Sequence, residues 1–310
     1  MSGDRSPIAI YQNAFLIYNP FAGQLNGKDH LLQRTIDVLT AGGHRVTPTP
    51  TTGPQMAHDL AQECIDGGAD AILALGGDGT VNEVVNGMIG SSVPLGVLPA
   101  GTANVLACEL GIGTNMLRAG RQLDEWAPVR IAVGRKDPGK RHFVLMAGAG
   151  FDALVVHRVD PSLKRRFGKM AYWVSGFGQF GQRLAQLEVH TNGQTVRCSF
   201  ALASRVRNYG GDLTIARGAS LLRDEFELVL FEGATTVPYL KYFTGVLTGT
   251  LKHIRGATVV TSREVEITPV AGSLVHLQID GEIAGVAPTL LRIVPDALTL
   301  LVPHRFRSRG

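Results

Sequence analysis

Cysteine is scarce in this chain: Cys64, Cys108 and Cys198 are three in 310 residues, odd in number and far apart. They offer neither a disulfide framework nor a zinc-ligand cluster, and they point to a reducing compartment. No apolar run reaches the ~18 residues of a membrane span. The polar opening from Met1 to Pro7, with Asp4 inside it, does not read as a secretory signal. Aromatic residues make up 6% of the chain and are not interleaved with basic ones in the way that stacks bases, so no nucleic-acid partner is expected. Charge is sparse too, at 18% of residues with a net +4 and a pI near 9.1. That balance suits an anionic small molecule or an acidic membrane surface. The expected location is cytoplasmic, with at most a peripheral contact at the inner membrane face.

What is present is a globular composition, 45% hydrophobic, in a chain long enough for two domains. Up to about residue 128, strand and helix signals alternate. Strands are expected at Ala14 to Tyr18, Arg45 to Thr49, Ala71 to Leu75 and Pro94 to Leu98, with helices at Leu31 to Leu39, Gln55 to Ile65, Val81 to Met88 and Asn104 to Leu110. This order predicts a parallel sheet covered by helices on both faces. From 129 to 310 the signals become mostly strand. These are Val129 to Val133, Phe143 to Met146, Val196 to Ser204, Glu225 to Phe231, Val259 to Ile267, Val275 to Ile279 and Leu290 to Val294. Helices are expected near Lys169 to Leu187 and Tyr239 to His253. The fold class is therefore α/β plus β: a nucleotide-binding domain over 1–128, a mostly antiparallel β domain over 129–310, and an active site in the cleft between them.

Two loops stand out. Leu75 leads into Gly76-Gly77-Asp78-Gly79-Thr80-Val81-Asn82-Glu83, and Pro99-Ala100-Gly101-Thr102-Ala103-Asn104 repeats the plan after the next strand. Glycine lets the backbone approach an anion, and the amides of a helix start point at it. Thr80 and Thr102 can each cap a helix and bond a phosphate. Beside phosphate Asp78 needs a cation between, so the pattern implies a nucleotide with a metal ion. Asn19-Pro20-Phe21-Ala22-Gly23, at the end of the first strand, is a third phosphate-side candidate. The nearby Gly23 to Asp29 is not a P-loop: three residues separate its glycines instead of four, and Asp29 stands where Ser or Thr would hold magnesium.

Gly148-Ala149-Gly150-Phe151-Asp152 mimics a dinucleotide fingerprint, but no strand with a terminal acid follows about 20 residues later. A tight strand-to-helix turn is expected there. Asp280-Gly281-Glu282 reads first as a hairpin turn. It is also a candidate source of the carboxylate that phosphoryl transfer to a hydroxyl requires. Asp224, in Arg223-Asp224-Glu225, is either a magnesium ligand or a solvated charge. Lys164 to Trp173 mixes cations with large apolar groups and suits either an acidic leaflet or a buried aromatic face.

Together these stretches resemble the catalytic region shared by diacylglycerol, sphingosine and ceramide kinases and the bacterial soluble lipid kinases. The match is carried by Asn19-Pro20 to Gly23, Gly76 to Gly87 (GGDGTVNEVVNG), Pro94 to Ala107 (PLGVLPAGTANVLA), Gly148 to Asp152 (GAGFD), Tyr209-Gly210-Gly211 and Asp280 to Glu282. The resemblance implies ATP and Mg2+ as cofactors and a lipid alcohol, diacylglycerol or sphingoid in type, as substrate. It implies ATP contacts from Asn19, Pro20, Phe21, Ala22, Gly23, Thr52, Gly76, Gly77, Asp78, Gly79, Thr80, Val81, Asn82 and Thr102. Glu282 would be the general base with Asp280 beside it, and Asp224 and Asp78 would be the metal ligands. Arg223-Asp224-Glu225 stands where the bacterial enzymes carry Asp-Asp-Gly, and Val105 stands where diacylglycerol enzymes often have Asp. An NAD kinase-like enzyme and a non-catalytic nucleotide sensor are the alternatives. A second copy of the chain is an open option as partner.

Overall fold

A computed structural model describes residues 9–158, 183–209 and 213–308. Its contacts divide the chain into two compact units, one up to Ile131 together with the segment from Asp296 onward, the other Ala132–Pro295.

In the first unit the strands β1 (Ala14–Tyr18), β2 (Val46–Pro50), β3 (Ala71–Gly76) and β4 (Leu95–Pro99) alternate with α1 (Asp29–Ala41), α2 (Met56–Asp66), α3 (Asp78–Met88), α4 (Val105–Glu109) and α5 (Met116–Arg121). The strands are parallel in the order β2-β1-β3-β4, with Leu16 opposite Leu73 and Leu73 opposite Gly96. Every residue of β3 and β4 is buried, which is why these strands read as unbroken apolar runs: helices cover both faces. β2 carries Pro48 and Pro50, and its residues are half-buried or exposed, as suits an edge that cannot donate fully to a ladder.

The second unit is antiparallel. After β5 (Trp126–Asp137), which begins in the first unit, come β6 (Arg141–Phe143), β7 (Met146–Gly150), α6 (Phe151–Arg158), β8 (Leu187–Thr191), β9 (Gln194–Cys198) and β10 (Phe200–Ser204). A short pair, β11 (Asn208–Tyr209) and β12 (Leu213–Thr214), precedes β13 (Phe226–Phe231), α7 (Tyr239–Thr248), β14 (Ala257–Ser262), β15 (Glu264–Pro269), β16 (His276–Ile279), β17 (Glu282–Val286) and β18 (Thr289–Pro303). One sheet runs β14-β13-β10-β7-β16-β17, and β15, β8 and β9 belong to another, where β15 pairs with the first half of β18. Apolar side chains from both sheets, among them Phe143, Phe226, Leu228, Val265 and Leu277, share one core. The second half of β18 lies in the first unit, where Leu300 pairs with Leu95 of β4.

Several expected strands are corrected. Val196 to Ser204 is two strands broken at Ser199, and Val259 to Ile267 is two broken at Arg263. At each break the chain leaves one sheet for the other, β9 to β10 and β14 to β15. Neither break carries a glycine or proline, so each stretch still reads as one extended run. Phe143 to Met146 is not a strand but the junction of β6 and β7. Leu290 to Val294 is the middle of the longer β18, and β8 and β17 were not expected. Of the expected helix Lys169 to Leu187, residues 169–182 lie outside the described residues; 183–186 are not helical, and Leu187 opens β8. The helix expected to reach His253 ends at Thr248, where Gly249 takes φ 76° as its C-cap. The stretch Lys164 to Trp173, together with Gly210 and Gly211, also lies outside the described residues. Among those described, no helix is long and apolar enough to cross a membrane.

Candidate functional site

In the first unit the carboxyl ends of β1, β3 and β4 deliver three loops that are tied to one another. Asn19 N–H donates to Leu75 O at 3.2 Å, and Gln24 N–H to Ala100 O at 2.9 Å. Ala100 and Gly101 N–H both donate to Gly76 O, at 2.9 and 3.1 Å. Asn104 closes the third loop from a left-handed conformation (φ 48°): its Oδ1 accepts from Gly101 N–H at 2.8 Å, and its Nδ2 donates to Gly101 O at 2.9 Å. The two glycine loops meet backbone to backbone. A Cβ placed on Gly101 would fall 2.5 Å from Gly77 Cα, so no other residue fits without opening the pair. A Cβ placed on Gly23 would lie 3.7 Å from Thr102 Oγ1.

The result is a concave strip of backbone at the head of α3, whose first-turn amides the helix does not itself satisfy. Asp78 opens that helix, and its Oδ1 also accepts from Leu106 N–H in α4 at 3.4 Å. Of the residues expected to contact nucleotide, Asn19, Gly23, Gly76, Gly77, Asp78, Gly79, Thr80 and Thr102 belong to this strip or its first turn. Phe21 is exposed, with its N–H on Asn19 Oδ1 at 2.9 Å, and Pro20 and Ala22 complete that turn. Val81 and Asn82 are buried, so their side chains belong to the packing beneath. Thr52 follows the edge strand, its hydroxyl 2.8 Å from Met56 Sδ. Two residues of this region went unassigned in the sequence. Glu83 caps α2, accepting from Gln55 N–H at 3.0 Å and Ala57 N–H at 3.2 Å. Gln24 Nε2 donates to Gly101 O at 3.3 Å and Thr114 O at 3.2 Å. Its position just after the Asn19 to Gly23 turn was the available hint.

The second unit holds the acidic turn. Asp280 and Gly281, with φ 48° and 85°, are the central residues of the β16–β17 hairpin, as the Asp-Gly pair implies. Asp280 is buried and its carboxylate is engaged by backbone: Oδ2 accepts from Val144 N–H at 3.1 Å, and Oδ1 from Leu145 and Met146 N–H at 3.1 and 2.9 Å. It thereby satisfies the amides at the β6–β7 junction, where no ladder serves them. Glu282 is half-exposed and its Oε2 lies 2.6 Å from Arg141 Nη2.

Beneath this turn lies Asp152, wholly buried, in the first turn of α6. Tyr209 hydroxyl donates to its Oδ1 at 2.5 Å and Gln278 Nε2 to its Oδ2 at 2.8 Å. Burial pushes its carboxyl up to about 6, and the two hydrogen bonds oppose that rise. The carboxylate packs on Gly148 so tightly that a Cβ there would sit 1.5 Å from Oδ2. The glycine of Gly148 to Asp152 thus admits a carboxylate, not a dinucleotide.

Asp224 is exposed, and the described residues contain no group of three or more His, Cys, Asp or Glu arranged to hold a metal. A buried cation, Arg205, serves this loop from elsewhere in the chain. Fully buried, it donates from Nη1 to the carbonyls of Arg223 and Glu225, the latter at 2.9 Å, and from Nη2 to Leu221 O at 2.9 Å and Ala132 O at 3.0 Å. Burial draws its pKa down to about 10, which leaves it charged at neutral pH. The carbonyls flanking Asp224 therefore already serve a positive group.

Two family models match the chain. The diacylglycerol kinase catalytic domain matches residues 13–136, and the YegS C-terminal NAD kinase beta sandwich-like domain matches residues 146–302. A diacylglycerol kinase of Bacillus subtilis (strain 168) is 28% identical over 283 residues, covering 89% of this chain and 92% of that one. A diacylglycerol kinase of Mycobacterium tuberculosis (strain H37Rv) is 29% identical over 261 residues, covering 80% and 82%. A crystal structure of a diacylglycerol kinase from Bacillus anthracis str. Sterne superposes with a TM-score of 0.77 at 19% identity, over 96% of this chain and 99% of that one, which shows a shared fold.

Proposed function

Since the chain belongs to the family that joins a diacylglycerol kinase catalytic domain to a YegS C-terminal NAD kinase beta sandwich-like domain, we propose that it is an ATP- and magnesium-dependent lipid kinase. It transfers the γ-phosphoryl group of ATP to the hydroxyl of a membrane-derived lipid, diacylglycerol or a sphingoid-type alcohol. The observation that carries this reading is the backbone contact of Gly77 with Gly101 at the head of α3. Such a strip suits polyphosphate, because it presents amides and excludes side chains.

On this reading the amides of Gly77, Gly79 and Thr80 and the hydroxyls of Thr80 and Thr102 hold the phosphates, with Asn19 to Gly23 on the adjoining side and Thr52 at the margin. The residues present fit a metal carried in with the phosphates, since magnesium often takes only one or two carboxylates from protein. Asp78 is that carboxylate; Arg205 takes the carbonyls on either side of Asp224, whose exposed carboxylate is the second candidate ligand. When bound, magnesium neutralises charge on the transferring group. Glu282 accepts the proton of the lipid hydroxyl. Asp280 does not, because its oxygens hold three backbone amides, and it supports the turn instead. Contact with the membrane is peripheral, made to reach the substrate.

The test is transfer from γ-labelled ATP to mixed vesicles containing diacylglycerol or a sphingoid base, with magnesium and with EDTA, and with NAD as a separate acceptor. A labelled lipid phosphate that requires magnesium supports the reading. Labelled NAD with no labelled lipid overturns the substrate class, and no transfer to any acceptor leaves a nucleotide sensor.

A further inference from the structure

Asp152, Tyr209 and Gln278 take no part in the kinase reading, yet they form a buried line that ends on its acidic turn. Asp152, Gln278 and Tyr209 are 0%, 1% and 8% exposed, so no solvent replaces a wrongly made contact among them. An ionised carboxylate only accepts hydrogen bonds. Asp152 Oδ2 therefore requires the amino side of the Gln278 amide, which it meets at 2.8 Å. That leaves Gln278 Oε1 facing the turn, where it accepts from Gly281 N–H at 2.9 Å. Reversing the amide would set oxygen against carboxylate and N–H against N–H, two repulsive contacts in a dry place. The hydroxyl of Tyr209 can donate or accept, so a proton on Asp152 is absorbed on the Oδ1 side without disturbing Gln278.

We propose that Gln278 is a positioning residue for Glu282, and that Asp152 fixes the polarity of the Gln278 amide and through it the backbone of the Asp280–Glu282 turn. Asp280 is anchored to the amides of Val144, Leu145 and Met146, Gly281 to Gln278, and Glu282 follows one residue later with its side chain half-exposed. Without the Gly281 bond, the placing of Glu282 would rest on the anchor at Asp280, the Ile279–Glu282 pairing and the ion pair with Arg141. This inference rests on the reading of Glu282 as general base.

A complementary exchange tests it in the full chain with ATP, magnesium and diacylglycerol vesicles. Gln278→Glu keeps the shape but sets carboxylate against carboxylate. It should lower kcat by about 10–100-fold, the scale of a misplaced catalytic group, and leave the nucleotide KM within about twofold. Adding Asp152→Asn restores every partner: the introduced amide donates to the introduced carboxylate, its oxygen still accepts from Tyr209, and the remaining carboxylate oxygen still accepts from Gly281 N–H. The double variant should regain about tenfold or more of the lost kcat, and in a Glu282→Gln background Gln278→Glu should add less than about twofold. A kcat for Gln278→Glu within about threefold of wild type, a loss the double variant does not recover, or an undiminished loss in the Glu282→Gln background each overturns the proposal. If Gln278→Glu alone does not fold, judged by thermal unfolding, the double variant decides: folded with near-native kcat supports, folded and slow overturns. Glu282→Gln with normal turnover would overturn the reading of the base and this role together. Slow Glu282→Gln beside normal Gln278→Glu would overturn the positioning role alone.

Discussion

The strip at the head of α3 and the turn after β16 are made of different materials. The first is mostly backbone: Gly77 and Gly101 in contact and loops tied by main-chain bonds, with the side chains of Asn104, Gln24 and Asp78 bonded in turn to that backbone. The second is a side chain, Glu282, on a turn secured by other side chains, Asp280 and Gln278. Holding a polyphosphate needs many weak donors in a fixed curve, which amides supply without side-chain entropy. Moving a proton needs one group of one chemistry at one place, and only a side chain supplies that. The two regions should therefore fail differently.

The largest expected effect belongs to the side chain. Glu282→Gln should cut kcat by ~10²–10⁴-fold, the usual weight of a general base, with nucleotide binding intact. Comparing kcat with nucleotide affinity measures this, and a normal kcat would end the distinction drawn above. Next comes the backbone strip. Gly101→Val places a Cβ 2.5 Å from Gly77 Cα and must part the two loops. Overpacking of that kind costs about 1–3 kcal/mol, so nucleotide affinity should fall by roughly 5–150-fold while kcat at saturation suffers less. Calorimetric titration with magnesium-ATP reads it.

Asp280→Asn sharpens the comparison from the structural side. One of the two oxygens becomes a donor facing a backbone N–H, so about 1–3 kcal/mol of stability should go, read as a lower denaturation midpoint. The smallest effect is a pH slope. Asp152 has its carboxyl raised to about 6 in the fold, above the ordinary ~4 of an unfolded chain. The folded state then binds more protons between those values, so the stability contributed by this group is present below ~4 and lost as pH rises through 6. Asp152→Asn should remove that loss, so its Tm relative to wild type should climb between pH 4.5 and 7. A flat difference would show that Asp152 titrates alike in both states.

The strip was legible in the sequence because glycine is a backbone statement. Gly76 to Thr80 and Gly101-Thr102 follow apolar runs that can only be buried strands, and the βα order places both at one edge of the sheet. The turn was half legible. Asp-Gly announces a hairpin, but nothing in the letters says that Asp280 serves Val144, Leu145 and Met146, more than a hundred residues earlier. Gln278 was invisible, one polar residue in an alternating strand. Arg205 was hidden for the same reason, since a buried guanidinium among four carbonyls has no local signature. Corners at Ser199 and Arg263 escaped because neither holds a glycine or proline to mark the change of sheet.

By itself the sequence determined the parallel sheet, the antiparallel β unit and the glycine strip, all of which follow from period, apolar runs and residues whose conformational range is local. Tertiary structure alone decided which carboxylate stays exposed and which is consumed. Asp280, Asp152 and Glu282 are the same chemistry in the chain, and what separates them is the number of distant N–H and O–H groups the fold brings to each.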